Sequence, residues 1–278
     1  MRNMYTEVSI SFELLQKVSL PDSAIPFILS VSKDNKTYEF LIKYKNSNKL
    51  LVMGNGAYDK KNQNLPLFQR HSWINDIDSS IIYYNDPTLY LGDISIGWCC
   101  GDKNNHYLLD IADIIKIISH KFNIYSNNIL FYGSSAGGFT SLMLSTLFKD
   151  STALVNNPQT SIPDFSNNHF KLLCNVSFPD MPVEEVLKQF QERFFVYSFM
   201  IKHQNIPKIK YLQNIYCKHD MDTQCLPFIN KLKNSKDIEF APNSFELHLY
   251  FNKLLGHNPL DKDKSIFYIN NTLKEISR

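Results

Sequence analysis

Gly133, Ser135 and Gly137 stand at Gly-x-Ser-x-Gly spacing, directly after the apolar run Ile129-Leu130-Phe131-Tyr132 and before Phe139, Leu142, Met143 and Leu147 at helical intervals. A serine placed between a buried strand and a helix, with glycine two residues to either side, is the sequence form of a nucleophile elbow. The turn is so sharp that a Cβ at either glycine would meet neighbouring backbone. With 9 glycines in 278 residues, chance supplies this pattern in roughly 0.03 of chains of the same composition, so chance is a poor explanation. Ser134 is the weaker candidate, because a frame centred on it puts Tyr132 and Ala136 where glycines are needed.

A serine hydroxyl needs a base, and the base needs a carboxylate to hold its tautomer. On an elbow architecture the chain order is serine, acid, histidine, with acid and histidine on loops at strand ends. Among eight histidines, His257 alone lies in a glycine-flanked loop, Leu254 to Pro259, after the final predicted strand. His71, His106, His120, His169, His203 and His248 fall in polar stretches, helix ends or strand interiors and read as solvated or structural; His219 is a weak supporting candidate. For the acid, Asp220 and Asp222 both follow a predicted strand at Leu212 to Cys217. In an extended stretch residues two apart share a face, so periodicity does not separate them. Asp222 is the expected acid, because the loop needs a few residues to turn towards the histidine.

Two backbone donors are expected to hold the developing oxyanion. Ala136 follows the serine, and Ala57 ends the loop Gly54-Asn55-Gly56-Ala57 after the early strand Lys49 to Met53. A plain tight turn accounts equally well for that loop. Arg70, in the phrase Phe68-Gln69-Arg70-His71-Ser72-Trp73, is a candidate for binding an anionic group of a substrate, with a structural ion pair as the ordinary alternative.

The elements that must position these residues alternate. Strands are expected at Lys49 to Met53, Ser80 to Asn85, Ile129 to Tyr132, Ala153 to Val155, Leu212 to Cys217 and Phe245 to Phe251, with amphipathic helices among them. Such alternation implies a mostly parallel central sheet flanked by helices. Residues 1–48, with alternating runs at Glu7 to Phe12 and Lys36 to Tyr44, are expected to add an antiparallel β extension. Residues 161–207, with a helix from Pro182 to Met200, break the rhythm as a helical insertion. It is either a cap over the site or an ordinary covering layer. The whole of 1–278 reads as one domain.

Net charge is +2 and 20% of residues are charged, which gives no nucleic-acid footprint. No segment has the length and apolarity of a membrane span, and the first residues lack the apolar centre of a secretion signal, so a cytoplasmic location is expected. Five cysteines, without metal-ligand spacing, predict reduced thiols and neither a disulfide framework nor a metal site.

Ser135, Asp222 and His257, together with the phrases Phe68 to Trp73, Asp86-Pro87-Thr88-Leu89-Tyr90 and Gly97-Trp98-Cys99-Cys100-Gly101, resemble bacterial capsular polysaccharide O-acetyltransferases of α/β-hydrolase fold. The chain is similar also to the acetyltransferase that accompanies accessory secretion of serine-rich glycoproteins. The resemblance spans roughly residues 50–260. It implies an α/β-hydrolase fold, acetyl-CoA as acyl-donor substrate with no bound cofactor, a polysaccharide hydroxyl as acceptor and an acetyl-serine intermediate. It also implies contact with other capsule-assembly proteins, peripheral to the inner membrane face, and it agrees with Asp222 as the acid. The chain departs from it at Cys225, where a histidine is implied. A serine esterase or deacetylase acting on acetylated carbohydrate shares the same machinery, and a non-enzymatic scaffold is the third reading; the intact Ser, Asp, His order speaks against the last.

Overall fold

The computed structural model describes residues 5–21, 24–235 and 245–276; Met1 to Met4, part of the N-terminal stretch read above, lie outside them. The chain begins with β1 (Thr6–Ser11), a short α1 (Phe12–Leu15), β2 (Phe27–Lys33), β3 (Lys36–Lys43), β4 (Leu50–Gly54) and β5 (Ser80–Tyr84). Then come α2 (Tyr107–Lys121), β6 (Ile129–Ser134), α3 (Ser135–Thr146) and β7 (Thr152–Pro158). The nine strands of the described residues form one sheet, in the order β1-β2-β3-β5-β4-β6-β7-β8-β9. From β5 to β9 every neighbouring pair is parallel. The fold is that of α/β hydrolases.

The N-terminal extension differs in part from the expectation. β3 pairs antiparallel with β2 and β5, but β1 runs parallel to β2. The strand at Phe27–Lys33 was hidden by its own burial: its first five residues are all buried, so the sequence shows no clean alternation of apolar and polar positions.

The central strands are covered on both faces. In β6, Ile129 and Phe131 join α2 and α3 in the larger core, while Leu130 and Tyr132 face the smaller core with Ile269 and Leu273 of the C-terminal helix. This two-sided burial is why β6 reads as a continuous apolar run.

Between β7 and β8 (Lys208–Asn214) lie α4 (Ile162–Phe165), α5 (Asn167–Ser177), α6 (Val183–Gln189) and α7 (Val196–His203). The single helix expected from Pro182 to Met200 is therefore broken. Arg193 is drawn inward, 7% exposed, to donate to the carbonyls of Cys100, Asp102 and Asn105. Phe195 adopts extended backbone and bridges Ser161. Val186, Phe194, Phe199 and Met200 are buried in the main core, so this part of the insertion packs against the central layers.

The chain ends with α8 (Lys218–Asp220), which runs through a wide helical turn at Met221–Cys225 into α9 (Leu226–Lys233), then β9 (Phe245–Tyr250) and α10 (Lys262–Glu275). Among the described residues no helix is long and apolar enough to cross a membrane. All five cysteines are free.

Candidate active site

Ser135 sits where β6 turns into α3, with φ of 53°, in the left-handed region that ordinary residues avoid. The adjoining glycines are required by close approach. A Cβ on Gly133 would lie 2.1 Å from the Gly137 carbonyl oxygen, and one on Gly137 would press to 3.3 Å from that of Gly54. Ser134, which caps α3, is not the exposed hydroxyl; its Oγ accepts from Arg70 Nη2 at 2.6 Å.

Ser135 Oγ lies 2.8 Å from His257 Nε2, and His257 Nδ1 lies 2.7 Å from Asp220 Oδ2. The structure thus brings Ser135 and His257 into contact, and the carboxylate that meets His257 is that of Asp220, not that of Asp222. Asp222 is exposed, whereas Asp220 is 1% exposed. Two local facts reverse the choice. β8 ends at Asn214 instead of Cys217, so the chain has already turned by residue 220. From residue 218 it is helical, and two helical residues are about 200° apart around the axis, so Asp222 faces away when Asp220 faces in. Cys225 is fully buried in the core, and burial pushes its thiol up to about 11.

The His257 loop is pinned by asparagines from two strand ends. Asn157 Nδ2 donates to the carbonyls of His257 and Asn258, both at 3.1 Å, while its Oδ1 accepts the Asn214 N–H at 2.8 Å. Asn214 Nδ2 in turn donates to the carbonyls of Asn252 and Gly256, and Asn156 Oδ1 accepts the Leu260 N–H. All three asparagines are fully buried, so each lost partner would strand a polar group away from water. Phe165, at the end of α4, lies against the His257 ring, with centroids 5.3 Å apart. His219 Nε2 meets the Phe165 carbonyl at 3.0 Å, so His219 touches α4 and not the Ser135–His257–Asp220 group.

On the other side, the Gly54 to Ala57 loop abuts the elbow: a Cβ on Gly56 would lie 3.9 Å from the Gly137 nitrogen. The Gly56 N–H is taken by Gln69 Oε1. Ala57 is exposed, and among the described residues its N–H meets no acceptor. Ala136 is in the first turn of α3, where N–H groups lack intrahelical partners. Arg70 donates to Gln69 Oε1 at 3.4 Å, the atom that also accepts the Gly56 N–H, and its guanidinium lies 5.3 Å from the Trp73 ring centroid and 5.6 Å from that of Tyr132. No ion pair among the described residues involves it.

Cys217, Asp220 and His257 place one potential ligand atom each within 4.8 Å of one another. His257 and Asp220 are already hydrogen bonded together, and burial raises the Cys217 thiol. Chemically, the arrangement of Ser135, His257 and Asp220 can pass a proton from a hydroxyl to an imidazole and back.

No protein-family model matches the chain, and no curated protein does. Among solved structures, the chain is similar to a capsule O-acetyltransferase of Neisseria meningitidis serogroup A, with TM-score 0.67, 16% identity, and coverage of 96% of this chain and 99% of that one. It is similar also to a chain of the Glycosylation Associate Protein (Gap123) complex from Streptococcus agalactiae, with TM-score 0.59, 11% identity, and coverage of 85% and 43%. An S-formylglutathione hydrolase from Agrobacterium tumefaciens matches with TM-score 0.56, 9% identity, and coverage of 93% and 95%. Strand order, elbow and comparisons agree that this chain has the α/β-hydrolase fold, shared with capsule O-acetyltransferase and esterases alike.

Proposed function

We propose that the chain is a Ser-His-Asp acyltransferase that moves an acetyl group from acetyl-CoA to a hydroxyl of a bacterial capsular or surface polysaccharide. The observation that carries this is the Ser135–His257–Asp220 chain of hydrogen bonds at 2.8 and 2.7 Å on an elbow. Support for the donor comes from similarity to a Neisseria capsule O-acetyltransferase that has been solved with CoA. Ser135 gives its proton to His257 Nε2 as Oγ attacks the thioester carbonyl, and Asp220 stabilises the imidazolium. The N–H groups of Ala57 and Ala136 hold the oxyanion. Collapse expels the CoA thiolate, which takes the proton from His257 and leaves acetyl-Ser135. A sugar hydroxyl then gives its proton to His257, attacks the acetyl carbonyl and restores Ser135. Arg70 binds an anionic group of donor or acceptor beside the elbow. Because the donor is a cytoplasmic metabolite, the enzyme works in the cytoplasm, at the inner membrane face with capsule-assembly partners.

Hydrolysis is the second reading, favoured by the 33% exposure of the His257 side chain, which lets water reach the acyl-enzyme. Incubation with acetyl-CoA, followed by mass spectrometry, separates the two. The expected result is an acetyl group on Ser135 that is discharged by capsule polymer faster than by water. Small-ester turnover without acetylation by acetyl-CoA would instead establish the esterase. Equal labelling of Ser135→Ala would sink both.

A further inference from the structure

Ser135 Oγ has a second protein partner outside the triad. Gln159, just beyond the end of β7, is fully buried. Its backbone N–H donates to the Ser135 carbonyl at 3.1 Å, and its side-chain Nε2 lies 3.0 Å from Ser135 Oγ. The other end of the amide meets Trp98 Nε1. An indole N–H is only a donor, so the amide oxygen must face Trp98 and the amide N–H must face Ser135. A hydroxyl has one proton and two lone pairs. With Gln159 donating to a lone pair, the proton of Ser135 is directed to His257 Nε2.

Trp98 is itself held in place. It and Cys99 adopt left-handed backbone, with φ of 51° and 54°. The buried Asp86 carboxylate accepts the N–H groups of Thr88 and Cys99, both at 2.9 Å, and Thr88 Oγ1 accepts that of Gly101. The knot formed by residues 86–101 therefore fixes the one indole that orients Gln159.

We propose that Gln159 is a catalytic residue whose amide N–H aims the Ser135 hydroxyl at His257 and stabilises charge on Oγ in both half-reactions; this rests on the reading of Ser135 as acyl acceptor. In the attack, the Oγ proton goes to His257 Nε2 as the Oγ–carbon bond forms and the carbonyl electron pair moves to its oxygen. In the return step that bond breaks, the pair stays on Oγ, and Oγ recovers the proton from His257. Gln159 transfers nothing; its donor remains on Oγ throughout.

The test is the rate at which a fluorophosphonate labels Ser135 in the full chain, read by mass spectrometry across pH, with melting temperature measured alongside. Gln159→Glu keeps the acceptor for Trp98 but sets a carboxylate oxygen against Ser135, drawing its proton away from His257. The expected result is a fall of about 100-fold at neutral pH, the scale of losing one preorganised donor. The variant-to-wild-type ratio should rise as pH falls and the protonated Glu side chain regains a donor. His257 is common to both proteins, so the ratio isolates position 159. Trp98→Phe releases the amide and should slow labelling about tenfold, the order of one lost hydrogen bond. A folded Gln159→Glu variant within about threefold of wild type, or a ratio flat with pH, overturns the proposal. If that variant fails to fold, an unchanged rate in Trp98→Phe overturns it. Wild-type protein that does not label at Ser135 removes the acyl-acceptor reading, and the role of Gln159 with it.

Discussion

Replacing Asp220 by Asn tests the acid assignment directly, because its neighbour Asp222 supplies an internal control. The Asp220 carboxylate accepts from His257 Nδ1 at 2.7 Å and is 1% exposed. That bond keeps the Nδ1–H tautomer, whose Nε2 lone pair faces Ser135. In Asp220→Asn two orientations compete. If the new NH2 faces Nδ1, the proton moves to Nε2, the base is lost, and the expected fall is about 10,000-fold, or about 5.5 kcal/mol. If the amide oxygen faces Nδ1, the tautomer survives but a charge-assisted bond becomes neutral. The loss is then about 1.5–3 kcal/mol, or roughly 10- to 150-fold. The exposed Asp222 has no such bond, so Asp222→Asn should stay within about twofold. The assay is the acylation rate with a small activated ester and saturating acetyl transfer, each with the melting temperature measured. A crippled Asp222→Asn, or a near-normal Asp220→Asn that folds, would refute the assignment.

Three further outcomes are expected. Ala57→Pro, which deletes the N–H, should cost about 100- to 1,000-fold in rate while Ala57→Ser costs little; equal activity would displace Ala57 from the oxyanion hole. Asn157→Ala removes two donors to the His257 loop and leaves the Asn214 N–H without its acceptor. It should lower stability by about 2–4 kcal/mol and reduce kcat, seen as a lower urea midpoint; unchanged values of both would show that the loop is held elsewhere. Arg70→Ala should raise the KM for acetyl-CoA or an anionic polymer and spare small-ester turnover; collapse of both would make Arg70 a support of Ser134 and the elbow instead.

Several features of the site are short-range and were readable from residue order. Gly133 and Gly137 are demanded by backbone contacts within one turn, and β6 and α3 announce themselves by apolar spacing on either side. His257 stands out because it alone among the eight histidines lies in a glycine-flanked loop after the last strand. The same local reasoning favoured Asp222, because it ran the strand on to Cys217 and left residues for the loop to turn; the strand ends at Asn214 and the chain is helical from residue 218, which sets Asp220 against His257 and turns Asp222 away. It also took Pro182 to Met200 as one helix, since periodicity does not register the inward pull of Arg193 on carbonyls some 90 residues away.

Amino-acid order by itself determined the elbow that carries Ser135 and the alternation of strands and helices, because each follows from sterics or apolar period within a few residues, and it pointed to His257 by its place after the last strand. Tertiary structure alone decided that Asp220 meets His257, that Asn156, Asn157 and Asn214 hold the His257 loop, and that Gln159, aimed by Trp98, meets Ser135. Hydrogen bonds between polar side chains far apart in sequence depend on which strand ends converge and which amide end faces which partner, and neither leaves a period in the chain.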